Sequence, residues 1–519
     1  MGAALLLTVG AFVFAGGGQA SSGGGGTKTV EITVEVFDRG TDGGRSDPTN
    51  NNYTKWIQEK LLKDENINVT FVPIPRGNET AALNNMMAAG TAPDICYTYD
   101  LTLIANYRNQ GGLVDMAPYA EQLMPDLKKF LGPDPSIPGR DLIYRTRDSQ
   151  TGKMYSIPAR RMYTPLTNTF IRKDWLDKLG LPLPKTREEF YNALVAFRDK
   201  DPGGVGKNRV IPYSTPAGNN LITSFLDPGV TSKDIWINYV LMDRYNGWAT
   251  LPGTKEAYRW CNKLYNEGLM DRDFPLRGDA DGDNILISGA VGSFEGMWDY
   301  PYRDSPGIYK GLAANIPGAE FVAVDCFPNA KGITAKPSYD VEGIHFFIPV
   351  FSKSAEGAMR YVNWLSRSEN MTFLQLGPEG IAYDMVDGLP QIKPAAGLWI
   401  QNSYQNLDYT LSVNGLDLGS PEKNIQALAR GYNVRPALIN DAYRIAMNNT
   451  WTIPVIPVEL TVAGPYQQTL RDKFSNFTTL AITGRPAEFD KIWDEGLADW
   501  MASGAQAIIN ERSAKYIVP

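Results

Sequence analysis

Between Gly292 and Tyr302 the chain reads GSFEGMWDYPY, which sets Trp298, Tyr300 and Tyr302 beside Glu295 and Asp299. Flat rings with carboxylates close by suit one kind of chemistry, the holding of a sugar. A saccharide ring offers an apolar C–H face to an aromatic plate and a rim of hydroxyls to charged or amide groups. Each charge-assisted bond at that rim is worth about 1.5–3 kcal/mol. The bland alternative for Trp298 is a packed core side chain. A second set is Arg160, Arg161 and Tyr163. A guanidinium there grips a carboxylate bidentately or meets hydroxyls, and its structural alternative is an ion pair within the protein. Two further pairs, Asp38 with Arg39 and Tyr99 with Asp100, follow stretches of strand character. Trp248, Trp399 and Tyr404 read as packing before contact, and His345, the one histidine, reads as a satisfied structural side chain in an apolar run.

The elements that must position these residues follow from periodicity. Val30, Ile32, Val34 and Val36 alternate with polar residues, a strand signal over 30–37, and Val69–Ile74 repeats it. Ile57 and Leu61 lie one helical turn apart, and Leu83, Met86 and Met87 share one side of a helix that stops at Gly90. Strand character returns at Pro93–Tyr97. This β-loop-α-β-α-β order predicts a parallel sheet flanked by helices. Ligands in such sheets sit beyond the carboxyl ends of the strands, which draws attention to loops 38–52 and 98–101. Further helices are expected over 172–179, 186–200 (with Thr186 and Glu189 at capping-box spacing), 254–268, 354–365 and 489–509.

At 519 residues the chain fits two large lobes, and 43% hydrophobic with 21% charged residues is the balance of a globular protein with a sizeable core. A net charge of -7 argues against nucleic acid as a partner. The apolar run Ala3–Ala15 is shorter than the about 20 residues that span a bilayer. It reads as a signal-peptide core, with cleavage expected after Ala15 or Ala20 and a glycine-rich spacer to residue 27. No basic residue precedes the run, so the natural start is expected upstream. No cysteine lies near the cleavage point, which favours a free periplasmic protein over a lipid-tethered one. Cys96, Cys261 and Cys326 are too scattered to imply a disulfide framework.

Several segments together resemble one family. They are Met87–Ile95, Gly112–Tyr119, Gly152–Pro158, Leu264–Leu269, Gly377–Gly380 and, most specific, Ile171–Leu181 with Pro184, Thr186, Glu189 and Phe190 after it. In order and spacing they are similar to the extracellular solute-binding proteins of carbohydrate ABC importers, in the subgroup of LipO-like and aldouronate- or alginate-oligosaccharide binders. The resemblance implies an α/β, two-lobed periplasmic binding-protein fold of type II, each lobe a mixed, mostly parallel sheet flanked by helices. It implies crossing strands near 152–161 and 339–347 and a third between about 405 and 460. The N-terminal lobe would comprise 28–158 plus 341–445, and the C-terminal lobe 159–340 plus 446–519. Ligand contacts are then expected from Trp298, Tyr300, Arg160, Tyr163, Asp38, Arg39, Tyr99 and Asp100.

The implied function is capture of a carbohydrate by hinge closure and delivery to ABC permease subunits, by a monomer with no membrane span, no catalytic residue and no cofactor. A secreted glycoside hydrolase is the alternative. It needs two carboxyls about 5–5.5 or 6.5–9.5 Å apart, which sequence proximity cannot test. A receptor for a peptide or another non-sugar solute is a further reading. One departure concerns metal. Many members of the subgroup carry a calcium loop, but the matching run here is Asp201–Pro212, where Gly203, Val205, Arg209 and Val210 replace oxygen donors. Calcium takes six to eight oxygens, so no ion is expected. Asp279–Asn284 looks like a second such loop, but its twelfth position is Ala290, and a solvated acidic turn is expected.

Overall fold

The structure, a computed structural model, describes residues 28–39, 47–132, 141–148, 150–206, 208–215, 218–227, 229–231, 234, 249–303, 307–334, 336–393, 407–452, 462 and 464–515. The expected leader and spacer, and Trp248, Trp399 and Tyr404, lie outside these.

The chain opens with β1 (Val30–Asp38), α1 (Asn52–Glu65) and β2 (Ile67–Pro75), the strands pairing in parallel with Asp38 opposite Pro75. Asn51 starts α1 by accepting the N–H groups of Tyr53 and Thr54, while Thr54 returns a bond to Asn51. Then come α2 (Glu79–Ala89), ended by Gly90 at φ 67°, β3 (Cys96–Thr98) and α3 (Leu101–Asn109). The β-α-β-α-β reading holds, with β1 joined to the β3 side through a bridge between Val34 and Ile95.

β3 lies at the edge of a sheet in the order β13–β4–β10–β3, where β4 is Ile157–Arg161, β10 is Glu342–Phe347 and β13 is Val413–Asn414. A second four-stranded sheet has the order β6–β7–β5–β8, from β5 (Thr167–Arg172), β6 (Ile211–Tyr213), β7 (Val291–Met297) and β8 (Phe321–Val324). β13–β4 and β6–β7 run parallel; β10–β3, β10–β4, β5–β7 and β5–β8 run antiparallel. β9 (Lys336–Ser338) pairs with β14 (Thr450–Thr452), and β11 (Tyr383–Val386) with β12 (Leu389–Ile392) makes a hairpin.

Buried side chains sort onto these sheets. Ile32, Val34, Tyr97, Ile157, Phe346, Trp364 and Tyr409 share one core. The second sheet has a core on each face because β5 alternates. Ile171 joins Trp175, Phe190, Trp493 and Trp500 on one face, and Phe170 joins Phe294, Trp298 and Ile439 on the other. The chain thus passes between the first core and the others at β4, β10 and β13.

The helices Pro421–Tyr432 and Pro436–Met447 pack with Phe170 and Phe294. They follow β13, where Val413 pairs with Arg160. Just beyond that strand Gly415 adopts φ 119°, and a Cβ there would come within 2.9 Å of the Tyr163 ring. Two local expectations are corrected. Asp279–Asn284 is no solvated turn but the start of a helix, Asp279–Ser288. The helix expected over 489–509 breaks after Trp500, where Gly504 at φ 128° packs on Tyr466 before the chain resumes at Gln506–Lys515.

Candidate binding site at the strand ends

The carboxyl ends of β1, β2 and β3 bring three side chains to one place. Arg39, just past β1, lies 5.1 Å from the centre of the Phe37 ring and binds both oxygens of buried Asp408, Nε to Oδ2 at 2.7 Å and Nη2 to Oδ1 at 2.8 Å. Arg76, just past β2, stands over Phe37 at 4.9 Å and over Tyr99 at 5.3 Å, and pairs with Glu79 at the start of α2. Burial pushes the Glu79 carboxyl up; Arg76 and the Thr98 hydroxyl bond oppose that only in part. Tyr99, just past β3, accepts a hydrogen bond from Nδ2 of Asn414 at 2.6 Å, which ties it to β13.

The crossing strands complete the group. Arg161 ends β4, with its guanidinium 4.2 Å from the Tyr339 ring centre and 5.9 Å from that of Tyr99. Its Nε donates to the Glu342 carbonyl at 3.3 Å. Strand alternation sends Arg160 elsewhere. Its Nη2 donates to the carbonyls of Phe130 and Gly132 at 3.0 and 3.4 Å, where a cation complements the carboxyl end of the helix Pro125–Phe130.

The other sequence candidates separate. Asp38 is exposed at the end of β1. Asp100 caps α3, accepting from the N–H groups of Thr102 and Leu103 at 2.9 and 3.1 Å, and burial pushes its carboxyl up. Trp298 is only 3% exposed; Tyr163 and Tyr443 flank it, with ring centres 6.0 and 5.6 Å away. The packed reading therefore describes Trp298, because no face of its ring is left for a sugar. Tyr163 belongs to the same core, its hydroxyl donating to the Asn424 carbonyl at 3.4 Å. Tyr300 donates to Oδ1 of Asp283 at 2.6 Å. Glu295 is spent on the N–H groups of Asn220 and Leu221, at 2.9 and 3.3 Å.

Residues 47–372 match the family model described as bacterial extracellular solute-binding protein. The chain belongs to that family. Among relatives, this solute-binding protein is 22% identical over 520 residues to the lipoprotein LipO of Bacillus subtilis (strain 168), covering 96% of this chain and 94% of LipO. It is 25% identical over 237 residues to the fructooligosaccharide ABC transporter substrate-binding protein FusA of Streptococcus pneumoniae serotype 4, covering 42% of each. A crystal structure of the alginate-binding protein AlgQ2 without calcium ion superposes with a TM-score of 0.63 at 19% identity, over 94% of this chain and 97% of that one. The likeness is one of fold, two lobes of sheets flanked by helices. No helix among the described residues is long and apolar enough to cross a membrane.

The degenerate calcium loop of this solute-binding protein holds itself together. The Asp201 carboxylate accepts the N–H groups of Val205 and Gly206 at 3.0 and 2.8 Å, and the Lys178 ammonium donates to the Pro202 carbonyl at 2.9 Å. A carboxylate turned to backbone donors and a cation on a loop carbonyl do not fit a calcium site.

Sequence reasoning passed over Arg76, Tyr339, Asn414 and Asp408. Arg76 carried a usable signal, since it follows a strand exactly as Arg39 and Tyr99 do. The other three come from segments far along the chain and carry no local signal.

Proposed function

We propose that this solute-binding protein captures an oligosaccharide between its two lobes and passes it to the permease of an ABC importer without making or breaking a bond. The observation that carries the reading is the meeting of Tyr99, Tyr339 and Arg161 at the strand ends, where the crossing strands β4, β10 and β13 lie side by side. Rings and hydrogen-bonding groups in one place answer the two sides of a sugar. FusA, by its name, serves fructooligosaccharides, and AlgQ2 alginate, which supports a carbohydrate here.

The first lobe comprises about residues 28–161 and 339–414, the second the rest. Ligand contacts come from Arg161, Tyr99, Tyr339, Arg76 and Asp38, with Arg39 and Asp100 bracing the loops that present them. A ligand that touches both lobes favours the closed form by its differential affinity. Of the carboxylates near the site, those of Asp408, Glu79, Asp340 and Glu342 are each held by an arginine and that of Asp100 by backbone N–H groups, while Asp38 stands exposed at the end of β1. That arrangement supports binding over hydrolysis, which needs a free acid and a free nucleophile or base. The mature protein acts outside the cytoplasm as a monomer.

Incubating purified protein with a panel of plant and algal oligosaccharides tests this, with thermal shift and product formation both recorded. A sugar that raises the melting temperature without being cleaved supports the receptor, because binding to the folded state alone must stabilise it. Product formation overturns the reading in favour of a glycosidase.

A further inference from the structure

Away from the crossing strands the bodies built on the two four-stranded sheets meet again, at a seam beside the candidate site. One side of the seam is α3, whose Leu103, Ile104 and Tyr107 pack with Leu83 of α2 and Phe347 of β10 and so belong with the first sheet. The other side is the short turn Gly464–Tyr466, which leads into the helix Gln467–Thr483. That helix belongs with the second sheet. Its Leu470, Phe474 and Phe477 share a core with Trp175 and Trp493, and Nε1 of Trp500 donates to the Leu470 carbonyl at 2.9 Å. At the seam itself a Cβ on Gly464 would stand 3.0 Å from Nδ2 of Asn106 in α3.

Each side is anchored to its own body. The Tyr466 ring lies on Gly504, where a Cβ would run into it, so the break between the helices Phe489–Trp500 and Gln506–Lys515 forms a socket for the turn. On the facing side Asp100 fixes the start of α3 by accepting the N–H groups of Thr102 and Leu103. Burial pushes the Asp100 carboxyl up, while its backbone donors and the charge of Arg471, on the helix across the seam, pull the other way. The seam thus sets a glycine against a side chain and a cation toward an anion.

We propose that this seam is a latch: contact of α3 with the turn Gly464–Tyr466 favours the closed form of the two lobes and so raises affinity for the ligand without touching it. This rests on the two-lobe hinge reading above and not on the class of the ligand. Tyr99, which brings a ring to the strand ends, comes just before Asp100 and the start of α3, so seam and site share one helix start. The two sides of the seam belong to different cores joined at β4, β10 and β13, and opening there draws α3 away from the turn. A ligand that needs the closed form binds in proportion to that form's population, which any contact made in it alone increases. Gly464 suits the role, since a side chain at that position would hold the two surfaces apart.

Small-angle scattering on the full mature chain without ligand tests the latch, with affinity for the same plant and algal oligosaccharides as a second readout. Gly464→Leu and, from the other side, Asn106→Phe are expected to enlarge the radius of gyration while circular dichroism shows the fold retained. Both are expected to weaken any panel sugar that binds by about fivefold or more. Gly464→Leu combined with Asn106→Ala makes room again and is expected to bring both readouts back toward wild type, a coupling that two unrelated defects do not show. An unchanged radius in both single variants overturns the proposal. So does an enlarged radius that the double variant fails to recover, because that pattern marks local damage, and so does an enlarged radius with sugar affinity intact. If no sugar of the panel binds, the carbohydrate reading falls and the scattering alone decides the latch.

Discussion

Nε2 of His345 lies 2.7 Å from Oε1 of Glu342, three residues back on the same strand. A regular strand sends residues three apart to opposite faces. Here the register of β10 against β4 shifts between Glu342 and His345, and this irregularity brings the two side chains together. The other ring nitrogen of His345 meets the Ser156 hydroxyl at 3.2 Å, and Arg145 reaches Glu342 from the far side at 2.8 Å. His345 is therefore used within the protein, at the middle of the crossing strands.

This cluster sets a pH dependence. Burial pushes the Glu342 carboxyl up, but His345, Arg145 and Arg161 together outweigh it and hold the group below the ordinary glutamate value of 4.5. A depressed folded-state value means that the carboxylate stabilises the fold above the unfolded value and loses that contribution as pH falls through the folded one. Glu342→Gln is expected to cost about 3 kcal/mol near neutral pH, since it leaves buried cations short of an anion. The gap from wild type should narrow as pH drops below about 4.5. Denaturant titrations at about pH 7, 5 and 3.5 measure it; a gap independent of pH rejects the assignment.

Glu35 predicts the opposite slope. It is wholly buried in β1, where Oε2 accepts the Tyr97 N–H at 2.9 Å, and burial pushes its carboxyl well above the ordinary value. An acid whose value is raised on folding resists ionisation in the folded chain, so its contribution turns unfavourable as pH rises past the unfolded value. Glu35→Gln keeps the acceptor and removes the titration. It is expected to stabilise the protein at neutral pH by about 1–3 kcal/mol, with the gain fading toward pH 4. Calorimetric melting across that range decides the sign.

The self-closed loop at Asp201 predicts indifference to calcium. Adding calcium or a chelator at millimolar concentration should move the melting temperature by less than about 1 °C, since a ligand that does not bind cannot shift stability. Asp201→Ala, which strips the Val205 and Gly206 N–H groups of their acceptor, should cost ~1 kcal/mol, the usual loss for such a cap. A chelator-induced drop of several degrees would mean that an ion is held after all.

Trp298 and Tyr99 should behave differently when truncated. Trp298→Ala removes a packed ring between Tyr163 and Tyr443 and is expected to cost about 3–5 kcal/mol of stability. Tyr99→Ala removes a half-buried ring at the strand ends, and its main effect should be on sugar affinity. Paired melting and binding measurements separate the two; equal losses of affinity with no loss of stability in Trp298→Ala would return that ring to the binding surface.

What the sequence revealed follows the range of the forces involved. The alternation of Val30 to Val36, the Thr186 cap and the stop at Gly90 are local, and the elements formed there. The strand-end rule reached Arg39, Tyr99 and Asp100 because their positions depend only on where a strand stops. It could not reach the Arg39–Asp408 pair, whose partners stand 369 residues apart. Nor could ring type tell that Trp298 would be enclosed, because Tyr163 and Tyr443 arrive from separate segments. The choice between Arg160 and Arg161 was a matter of strand phase, fixed only once β4 had neighbours on both sides. The break at Gly504 stayed hidden because the apolar stripe from Ile492 to Ile508 continues through it, and Tyr466 supplies the cause.

Gly415 marks a place where backbone and ring are fitted to each other. The chain leaves β13 through a residue with no room for a side chain, pressed on Tyr163, which in turn bears on Trp298. A side chain at position 415 would push on Tyr163 and through it on the Trp298 cluster, so the path by which the chain leaves β13 is open to glycine and closed to a bulkier residue.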